Sequence, residues 1–508
     1  YRSLMAVYHK FLQAQIYLTD EDLDEQKAYW RSEQLDLIGE INSFLANNPT
    51  FNAIDQPGNS ALVGTADMYY NLAELQYYAI PEDLNPALLS YRKALELDPE
   101  LPNRDLALYN IAFITSELQR LEISNNKIAF RNSAGFGEIP PANSLYSEAN
   151  FSEAQAALQE IVRDFPDSQV YEESVYRLGL LNFSFSTDSD NPELYRNRAI
   201  GYFDEIVANH DSPLYYDALY QRGWVRLNSF AEDDLRFAMN DFMELLQATD
   251  SGLIADEQLA QDYRSDAVDN IAYCLIALDG TDFTSRSRGV AELQRVFEGY
   301  GNDQIVHLVL DRTTQLKLDM NASLQAVDFL QFKIDSAPMA LINPVLQDSI
   351  LFLYHNSGQN LREGENLDQI TQDIYQRIID NYSYNSQWYS VNKDNDISHQ
   401  MDIVNNAYTQ RSYRLYNNFV NSINRENLTA YENHVHTYQE FAQLHNPDYE
   451  EDSAASDSLM VTAYSVLADR TQDLQDINAA IQKLYEYNDT YPLNSQFYEN
   501  EELAMIYA

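Results

Sequence analysis

The 508-residue sequence predicts an all-α fold, a solenoid of about ten stacked helix–turn–helix pairs. Three observations support this prediction. Glycine and proline number only 15 each, which favours helices over strands and long loops. Two apolar patterns at helical spacing alternate along the chain, and each of them marks one helix of a pair. Because a single pair cannot bury its apolar stripe, successive pairs have to stack to form a continuous core.

The second helix of each pair is marked by apolar residues that end in a helix terminator. The clearest copy has Ala87, Tyr91 and Ala94 on one face, followed by Pro99. Proline ends the helix because it lacks the backbone donor and clashes with the preceding turn. The same spacing predicts further second helices that contain Leu37, Ala154, Ala199, Ala238, Ala326, Thr371 and Ala480.

The first helix of each pair carries a small residue inside its apolar stripe. This residue is glycine in two copies, at Gly179 and Gly223. Alanine occupies the same place at Ala73, Ala112 and Ala272. Because a small side chain lets a neighbouring helix approach closely, we expect tight helix contacts at these five positions.

The two patterns together resemble the tetratricopeptide repeat, a helix–turn–helix unit of about 34 residues. The resemblance covers nearly the whole chain and implies a right-handed superhelical solenoid whose first helices line a concave groove. The segment Asp-Phe-Pro-Asp-Ser at 164–168 also resembles the repeats of bacterial envelope proteins, namely the outer-membrane assembly lipoproteins and the TolA-binding coordinator family. Its serine has a local structural explanation as well, because serine caps helix N-termini.

Departures from the periodicity predict where the array is interrupted. Residues 123–150 include Gly135, Gly137, Pro140 and Pro141 and lack a helical pattern, which predicts an irregular insertion loop. We therefore divide the chain into N-terminal repeat units over 1–122, this loop over 123–150, central units over 151–398, and C-terminal units over 399–508. The last unit is expected to be incomplete.

The acidic composition excludes several classes of partner. Acidic side chains number 79 against 32 basic ones, which gives a formal net charge of −47. Nucleic acids and anionic membrane surfaces are bound mainly through Lys and Arg, so neither is expected as a partner. The sequence also lacks the run of about 18 apolar residues that a membrane-spanning helix needs. The partners that fit are proteins, either several in one assembly or further copies of this chain.

No residue pattern points to catalysis, a cofactor or a dedicated metal site. Asn392, Asp394 and Asp396 alternate like the ligands of a calcium loop, but the glycine required at the sixth position is missing. That departure leaves only weak calcium binding open. His434 and His436 are two residues apart, which places them on opposite sides of a helix rather than around one metal ion.

The tetratricopeptide resemblance implies a set of groove-facing residues on the first helices. Aromatic rings supply contact area at low entropic cost, and acids select a basic or polar partner segment. The alternative for each ring is that it fills the core between helices. The predicted partner-binding residues are Tyr70, Tyr109, Tyr176, Tyr220, Trp224, Tyr273, Asp67, Asp217, Asp266 and Asp269.

These features predict a non-enzymatic protein-binding scaffold of the bacterial cell envelope or surface. Its expected location is extracytoplasmic, in the periplasm, at the outer membrane or on the cell surface, within a multi-protein assembly. The first residue is Tyr1 rather than methionine, from which we expect an upstream region. Two alternatives stay open: the helical accessory region of a larger envelope enzyme, and a structural subunit of a surface filament.

Overall fold

The computed structural model describes residues 24–50, 52–54, 62–133, 140–297, 303–358, 360–445 and 449–491. These residues are mostly helical. They also contain one small antiparallel sheet, in which β1 (Asn52–Ile54) pairs with β2 (Leu62–Gly64). The chain divides into two compact units, residues 1–270 (unit 1) and 271–508 (unit 2).

Unit 1 is built from helices that pack against their neighbours in chain order. Its described helices are α1 (Asp24–Asn47), α2 (Thr65–Ala79), α3 (Asn85–Leu97), α4 (Arg104–Ser133), α5 (Ser152–Asp164), α6 (Tyr171–Asp188), α7 (Pro192–Val207), α8 (Tyr215–Leu227), α9 (Glu232–Asp250) and the first part of α10 (Glu257–Asp279). Each second helix presents its predicted apolar face to its neighbours. On α3, for example, Ala87, Tyr91 and Ala94 are all fully buried.

Unit 2 continues the same construction after the end of α10. Its described helices are α11 (Arg288–Phe297), α12 (Asp303–Asp319), α13 (Ser323–Ser336), α14 (Asn343–Ser357), α15 (Leu367–Tyr382), α16 (Gln387–Asn392), α17 (Ser398–Asn421), α18 (Arg425–His445), α19 (Tyr449–Thr471) and α20 (Leu474–Thr490). One large apolar core joins α13, α14, α15 and α17, with Trp388 of α16 buried in it. The indole nitrogen of Trp388 donates to the backbone carbonyl of Ala340 at 2.8 Å, which satisfies its only polar atom.

The helices confirm the predicted all-α repeat architecture. All eight second-helix patterns lie on helices, on α1, α3, α5, α7 and α9 in unit 1 and on α13, α15 and α20 in unit 2. The handedness and the number of repeat units stay predictions. Among the described helices, none is both long and apolar enough to cross a membrane.

The two predicted glycines lie where a phenylalanine of the following helix approaches the backbone. A Cβ atom placed on Gly179 would lie 2.6 Å from Cε1 of Phe203, and one on Gly223 would lie 2.8 Å from Cε1 of Phe242. Both rings are completely buried. Close helix contact is therefore confirmed at both glycines. By contrast, a Cβ on Gly201 of α7 would meet nothing within 4 Å.

The irregular segment predicted over 123–150 begins later than expected. Helix α4 continues to Ser133, because residues 123–133 contain no glycine or proline to end it and Ile123 is buried. Gly135 and Gly137 lie outside the described residues. The prediction of a loop was therefore wrong for residues 123–133. The remaining repeat-group boundaries stay predictions, because the division after residue 270 separates compact units rather than groups of repeats.

Unit 2 contains a completely buried ion pair. Nζ of Lys317 lies 2.7 Å from Oδ2 of Asp279, and neither side chain is exposed. Lys317 also donates to Oε1 of Gln325 at 2.7 Å. Asp279 accepts hydrogen bonds from the Ser287 hydroxyl and the Gly289 backbone amide, both at 2.8 Å. The pair is thus surrounded by partners that compensate part of the cost of removing two charges from water.

Candidate partner-binding site

The predicted partner-binding residues lie mainly on the first helices α4, α6, α8 and α10. Successive first helices are linked by side-chain hydrogen bonds, so their residues form one face of unit 1. We call this set, with the side chains that hold it together, the first-helix face. Its members are Tyr109, Phe113, Glu173, Tyr176, Arg177, Asp217, Tyr220, Trp224, Tyr263 and Asp266.

Two tyrosine–aspartate hydrogen bonds cross in opposite directions between α8 and α10. The Tyr220 hydroxyl on α8 donates to Oδ2 of Asp266 on α10 at 2.9 Å. The Tyr263 hydroxyl on α10 donates to Oδ1 of Asp217 on α8. The two tyrosine rings lie between these bonds, with their centroids 5.5 Å apart. Three predicted residues, Tyr220, Asp217 and Asp266, are thereby brought together with Tyr263 in a single cluster.

Burial and the neighbouring carboxylates keep these tyrosines protonated. Burial is the largest cause that raises the pKa of Tyr263, and its hydrogen bond to Asp217 raises it further. The pKa of Tyr176 is also raised, first by burial and then by the charge of Asp217. At Tyr220, burial again raises the pKa. The hydroxyls therefore act as neutral hydrogen-bond donors at ordinary pH.

An arginine–aromatic cluster continues the face onto α4 and α6. The guanidinium carbon of Arg177 lies 5.4 Å from the ring centroid of Tyr109 and 5.0 Å from that of Phe113. Nε of Arg177 donates to the Tyr109 hydroxyl at 2.9 Å, and that hydroxyl donates to Oε1 of Glu173 at 3.2 Å. This guanidinium is held by rings and by a carboxylate, so it is a structural part of the face rather than a free cation.

Two predicted residues have structural partners close by on β2 and α3, and their role in partner binding stays a prediction. The Tyr70 ring is buried and packs edge-on against the ring of Tyr91, at a centroid distance of 5.9 Å, because its position on α2 turns it toward α3. Asp67 instead accepts a hydrogen bond from the Gly64 backbone amide at 2.7 Å and thereby caps the start of α2.

The other predicted residues differ in how accessible they are. Tyr109, Tyr176, Tyr220, Trp224, Asp217 and Asp269 are half-buried, and Asp266 is exposed. Because each of these rings is partly buried and partly exposed, core packing and groove exposure are not exclusive alternatives here. Tyr273 is 41% exposed and belongs to unit 2. Their binding role stays a prediction.

Sequence reasoning missed Tyr263, Phe113, Glu173 and Arg177. The periodic patterns select the buried stripe of each helix, whereas Phe113, Glu173 and Arg177 are half-buried. One signal was available: Glu173 and Arg177 are four residues apart on α6, and their side chains lie 2.9 Å apart. The partner of Tyr263 lies on another helix, so no local spacing could have identified it.

The serines of the envelope-type motif have a structural role. The Ser168 hydroxyl donates to Oδ2 of Asp105 at 2.5 Å and accepts the backbone amide of Val170 at 3.2 Å. Ser212, at the equivalent place before α8, donates to Oε2 of Glu172 at 2.8 Å. Each serine shapes the start of one first helix and ties it to the preceding first helix. These contacts give the serines of the motif a role in repeat stacking.

Tyrosine–carboxylate hydrogen bonds also occur outside this face, and each of them joins two different elements. Further pairs are Tyr91 with Glu74, Tyr171 with Glu205, Tyr195 with Glu148, Tyr215 with Glu244, Tyr384 with Glu440, Tyr464 with Glu432 and Tyr491 with Asp457. A phenol donates to a carboxylate without adding charge. Hydrogen bonds of this kind give some of the 38 tyrosines a structural role in a chain with few basic residues.

Among the residues that the structure describes, no three histidine, cysteine or acidic side chains are grouped so that they could hold a metal ion. In the calcium-like motif, the Asn392 side-chain amide donates to the carbonyl of Met339 at 3.0 Å, and Asp396 accepts from the Ser398 hydroxyl at 2.6 Å. These two motif residues therefore have local protein partners.

The two histidines of α18 point to different surroundings, as their spacing predicts. His434 is buried with Nε2 2.9 Å from the carbonyl oxygen of Tyr408, and burial lowers its pKa to about 4. The side chain of His436 is 60% exposed, with Nε2 3.8 Å from Glu432. His434 and His436 therefore do not form a pair of metal ligands.

Comparison with known proteins finds helical-repeat structures that resemble this chain only at low similarity. No protein-family model matches the chain, and no curated protein matches its sequence. Similar solved structures include the TPR domain of P58(IPK), at 12% identity and TM-score 0.19, covering 90% of this chain and 99% of that one. A monomeric mutant of IFIT1 with Gppp-AAAA has 11% identity and TM-score 0.19, and 94% of each chain is covered.

A further similar structure is a circular tandem repeat protein with novel repeat topology and enhanced subunit contact surfaces. It shares 14% identity with this chain at a TM-score of 0.18, covering 83% of this chain and 91% of the other. Scores of this size support no argument about shape or function. The helical-repeat class therefore rests on the packing of this chain's own helices.

Proposed function

We propose that this protein is a non-enzymatic scaffold that binds a segment of a partner protein on the first-helix face of unit 1. The observation that carries this proposal is the crossed pair of hydrogen bonds from Tyr220 to Asp266 and from Tyr263 to Asp217. These bonds gather aromatic edges and carboxylates from separate helices onto one rigid surface. A surface held in place before binding loses little conformational freedom when a partner arrives.

The chemistry of the face favours a basic or polar partner segment. A carboxylate has about four acceptor positions, and Asp266 is exposed, so its hydrogen bond with Tyr220 leaves acceptor positions open toward solvent. Trp224 lies half-buried one turn from Tyr220 and adds contact area of the kind that dominates protein interfaces. A lysine or arginine beside these groups would gain both a carboxylate contact and an aromatic face.

The proposed setting is an assembly of the bacterial envelope or cell surface. Its support is the likeness of residues 164–168 to envelope repeat motifs. A nucleic-acid partner is opposed by the net charge of −47.

Site-specific photo-crosslinking tests the assignment of the face. A photoreactive phenylalanine analogue replaces Trp224, and in a matched protein it replaces Leu89 on α3, which is 63% exposed and lies on a second helix. We expect partner adducts from native membranes at position 224 and few at position 89. Equal labelling at both positions would contradict the proposed face.

Variants then test the chemistry of the contact. Trp224→Ala combined with Asp266→Asn is expected to weaken capture of the crosslinked partner at least about fivefold, corresponding to about 1 kcal/mol. Capture should also weaken as salt increases, because the carboxylate contact is exposed to solvent. The variant Asp262→Asn removes another exposed acid of α10 and serves as the charge control. Unchanged capture by the double variant would overturn the proposal.

A further inference from the structure

The contact between α17 and α18 contains an imidazole within a cluster of aromatic rings. One face of α18 carries four rings at helical spacing, namely His434, Tyr438, Phe441 and His445. Tyr408 of α17 packs on the first three of them, at centroid distances of 5.6, 5.5 and 5.0 Å in chain order. Tyr408, Tyr438 and Phe441 are at most 3% exposed, so this cluster belongs to the core that holds α18 on α17.

A hydrogen bond determines which nitrogen of His434 carries the proton in the neutral ring. Nε2 of His434 lies 2.9 Å from the backbone carbonyl oxygen of Tyr408. Because a carbonyl oxygen can only accept, Nε2 of the neutral ring is protonated and donates to it. The other nitrogen, Nδ1, is therefore the atom that takes up a second proton in acid.

The surroundings of His434 oppose a positive charge on its ring. Burial is the largest cause that lowers the pKa of His434 to about 4, and the charge of Arg411 lowers it further, while the hydrogen bond to Tyr408 acts in the opposite direction. Arg411 lies half-buried on α17, and two acids of α15, Asp373 and Asp380, partly offset its charge. Within the described part of the chain, no carboxylate acts on His434 in the same way.

These surroundings make the contact between the two helices depend on pH. A histidine in an unfolded segment has a pKa of about 6.5. Between that pH and about 4, His434 takes up a proton when α18 is separated from α17 but remains neutral when the helices are packed. The free energy contributed by the neutral ring is therefore fully present above about pH 6.5 and is lost as the pH falls toward the folded value.

We propose that the contact of His434 with Tyr408 is an acid-sensitive switch, in which a proton on Nδ1 of His434 releases α18 from α17. Protonation places a second positive charge beside Arg411. Release of α18 exposes the ring faces of Tyr408 and Phe441, which are buried while the ring is neutral. The switch lies in unit 2 and shares no residue with the first-helix face, so it is a property separate from partner binding there.

Hydrogen exchange of the full chain, measured by mass spectrometry on peptides from α17 and α18, tests the switch. Exchange is expressed as a protection factor, the rate of an unstructured peptide divided by the observed rate, which removes the direct effect of pH on the exchange chemistry. The variant His434→Gln keeps a side-chain donor but cannot take up a proton. The control variant His436→Gln changes the neighbouring histidine of the same helix, whose side chain is 60% exposed.

The protection factor of α18 should fall by up to about twentyfold between about pH 7 and about pH 5 in the unchanged chain. The control variant should lose the same factor. In His434→Gln, the change over this range should be less than about threefold. Equal losses in His434→Gln and the control would overturn the proposal, as would constant protection in the unchanged chain.

A titration of carbon-13-labelled histidines in the full chain keeps the test independent of whether His434→Gln folds. Among the eight histidines, one imidazole should stay neutral to below about pH 5. Arg411→Gln should raise the midpoint of that resonance, because it removes the neighbouring positive charge. The control Arg414→Gln removes a cation of the same helix that is 43% exposed, and it should leave the midpoint unchanged. Titration of every imidazole near the ordinary value would overturn the proposal, as would equal midpoints in the two arginine variants.

Discussion

The Tyr220 hydroxyl donates to Oδ2 of Asp266 at 2.9 Å and so connects two first helices that are separated by a complete second helix in the chain. The reverse bond from Tyr263 to Asp217 makes the connection reciprocal. Because each helix provides one donor and one acceptor, a shift of α10 along α8 would break both bonds. The pair therefore fixes the relative position of two successive repeats.

Removing one of these hydroxyls should destabilise unit 1. Tyr263→Phe deletes the donor to Asp217, and a lost hydrogen bond to a charged group costs about 1.5 to 3 kcal/mol. Urea unfolding followed by circular dichroism measures the change. Tyr413→Phe, at a tyrosine that is 56% exposed, is the matched control and should change the free energy of unfolding by less than about 0.5 kcal/mol. Equal losses in the two variants would contradict a structural role for the bond.

A methyl group at Gly179 should be unfavourable despite the higher helix propensity of alanine. Gly179→Ala places a Cβ 2.6 Å from the buried Phe203 ring, and overpacking of this kind costs about 1 to 3 kcal/mol. Gly201→Ala meets open space and should stabilise by up to about 1 kcal/mol. Thermal unfolding of both variants measures the difference in sign. Stabilisation by both substitutions would show that the Phe203 ring can move aside.

Stability should fall at alkaline pH because several tyrosines have raised pKa values in the folded chain. A hydrogen bond to Glu205 is the main cause that raises the pKa of Tyr171 to about 12, and burial does the same for Tyr382 and Tyr408. Unfolded tyrosines lose their protons near a pKa of about 10. Above that pH the unfolded chain binds fewer protons than the folded chain, so the free energy of unfolding decreases as pH rises toward 12.

The measurement compares urea midpoints between about pH 9 and about pH 11.5 with tyrosinate absorbance over the same range. The urea midpoint should be constant below about pH 10 and then fall. Part of the tyrosine absorbance change should occur only when the chain unfolds. A constant midpoint, with all tyrosines ionising together near the ordinary value, would refute this account.

Breaking the buried ion pair should cost more than breaking an exposed one. Lys317→Met leaves the fully buried Asp279 carboxylate without its cation, which typically costs about 3 to 5 kcal/mol. Lys333→Met removes the cation from Asp311, which is 59% exposed, and should cost no more than about 1 kcal/mol. Hydrogen exchange of α12 and α13 locates the loss in unit 2. Similar costs for both variants would mean that water reaches Asp279.

The sequence predicted the helices well because their signal is local. Alanine and aromatic residues at helical spacing identify the buried stripe of α3 without any knowledge of its neighbours, and Gly179 marks a close approach. The side-chain partners could not be predicted in the same way. Whether Tyr70 faces a groove or Tyr91 depends on how α2 is rotated against α3, and that rotation depends on packing across the pair. Tyr263 went unnoticed for the same reason.

Phenol hydroxyls carry no charge, so the bonds that tie neighbouring helices through Tyr91, Tyr220 and Tyr464 do not consist of opposite charges that dissolved ions can shield. These contacts between helices and the charges that repel separate molecules therefore come from different chemical groups. Tyrosine hydroxyls add uncharged contacts between helices that pack through their apolar faces, while the excess of carboxylates repels separate molecules. Contacts of this kind should therefore persist as the ionic strength of the surroundings changes.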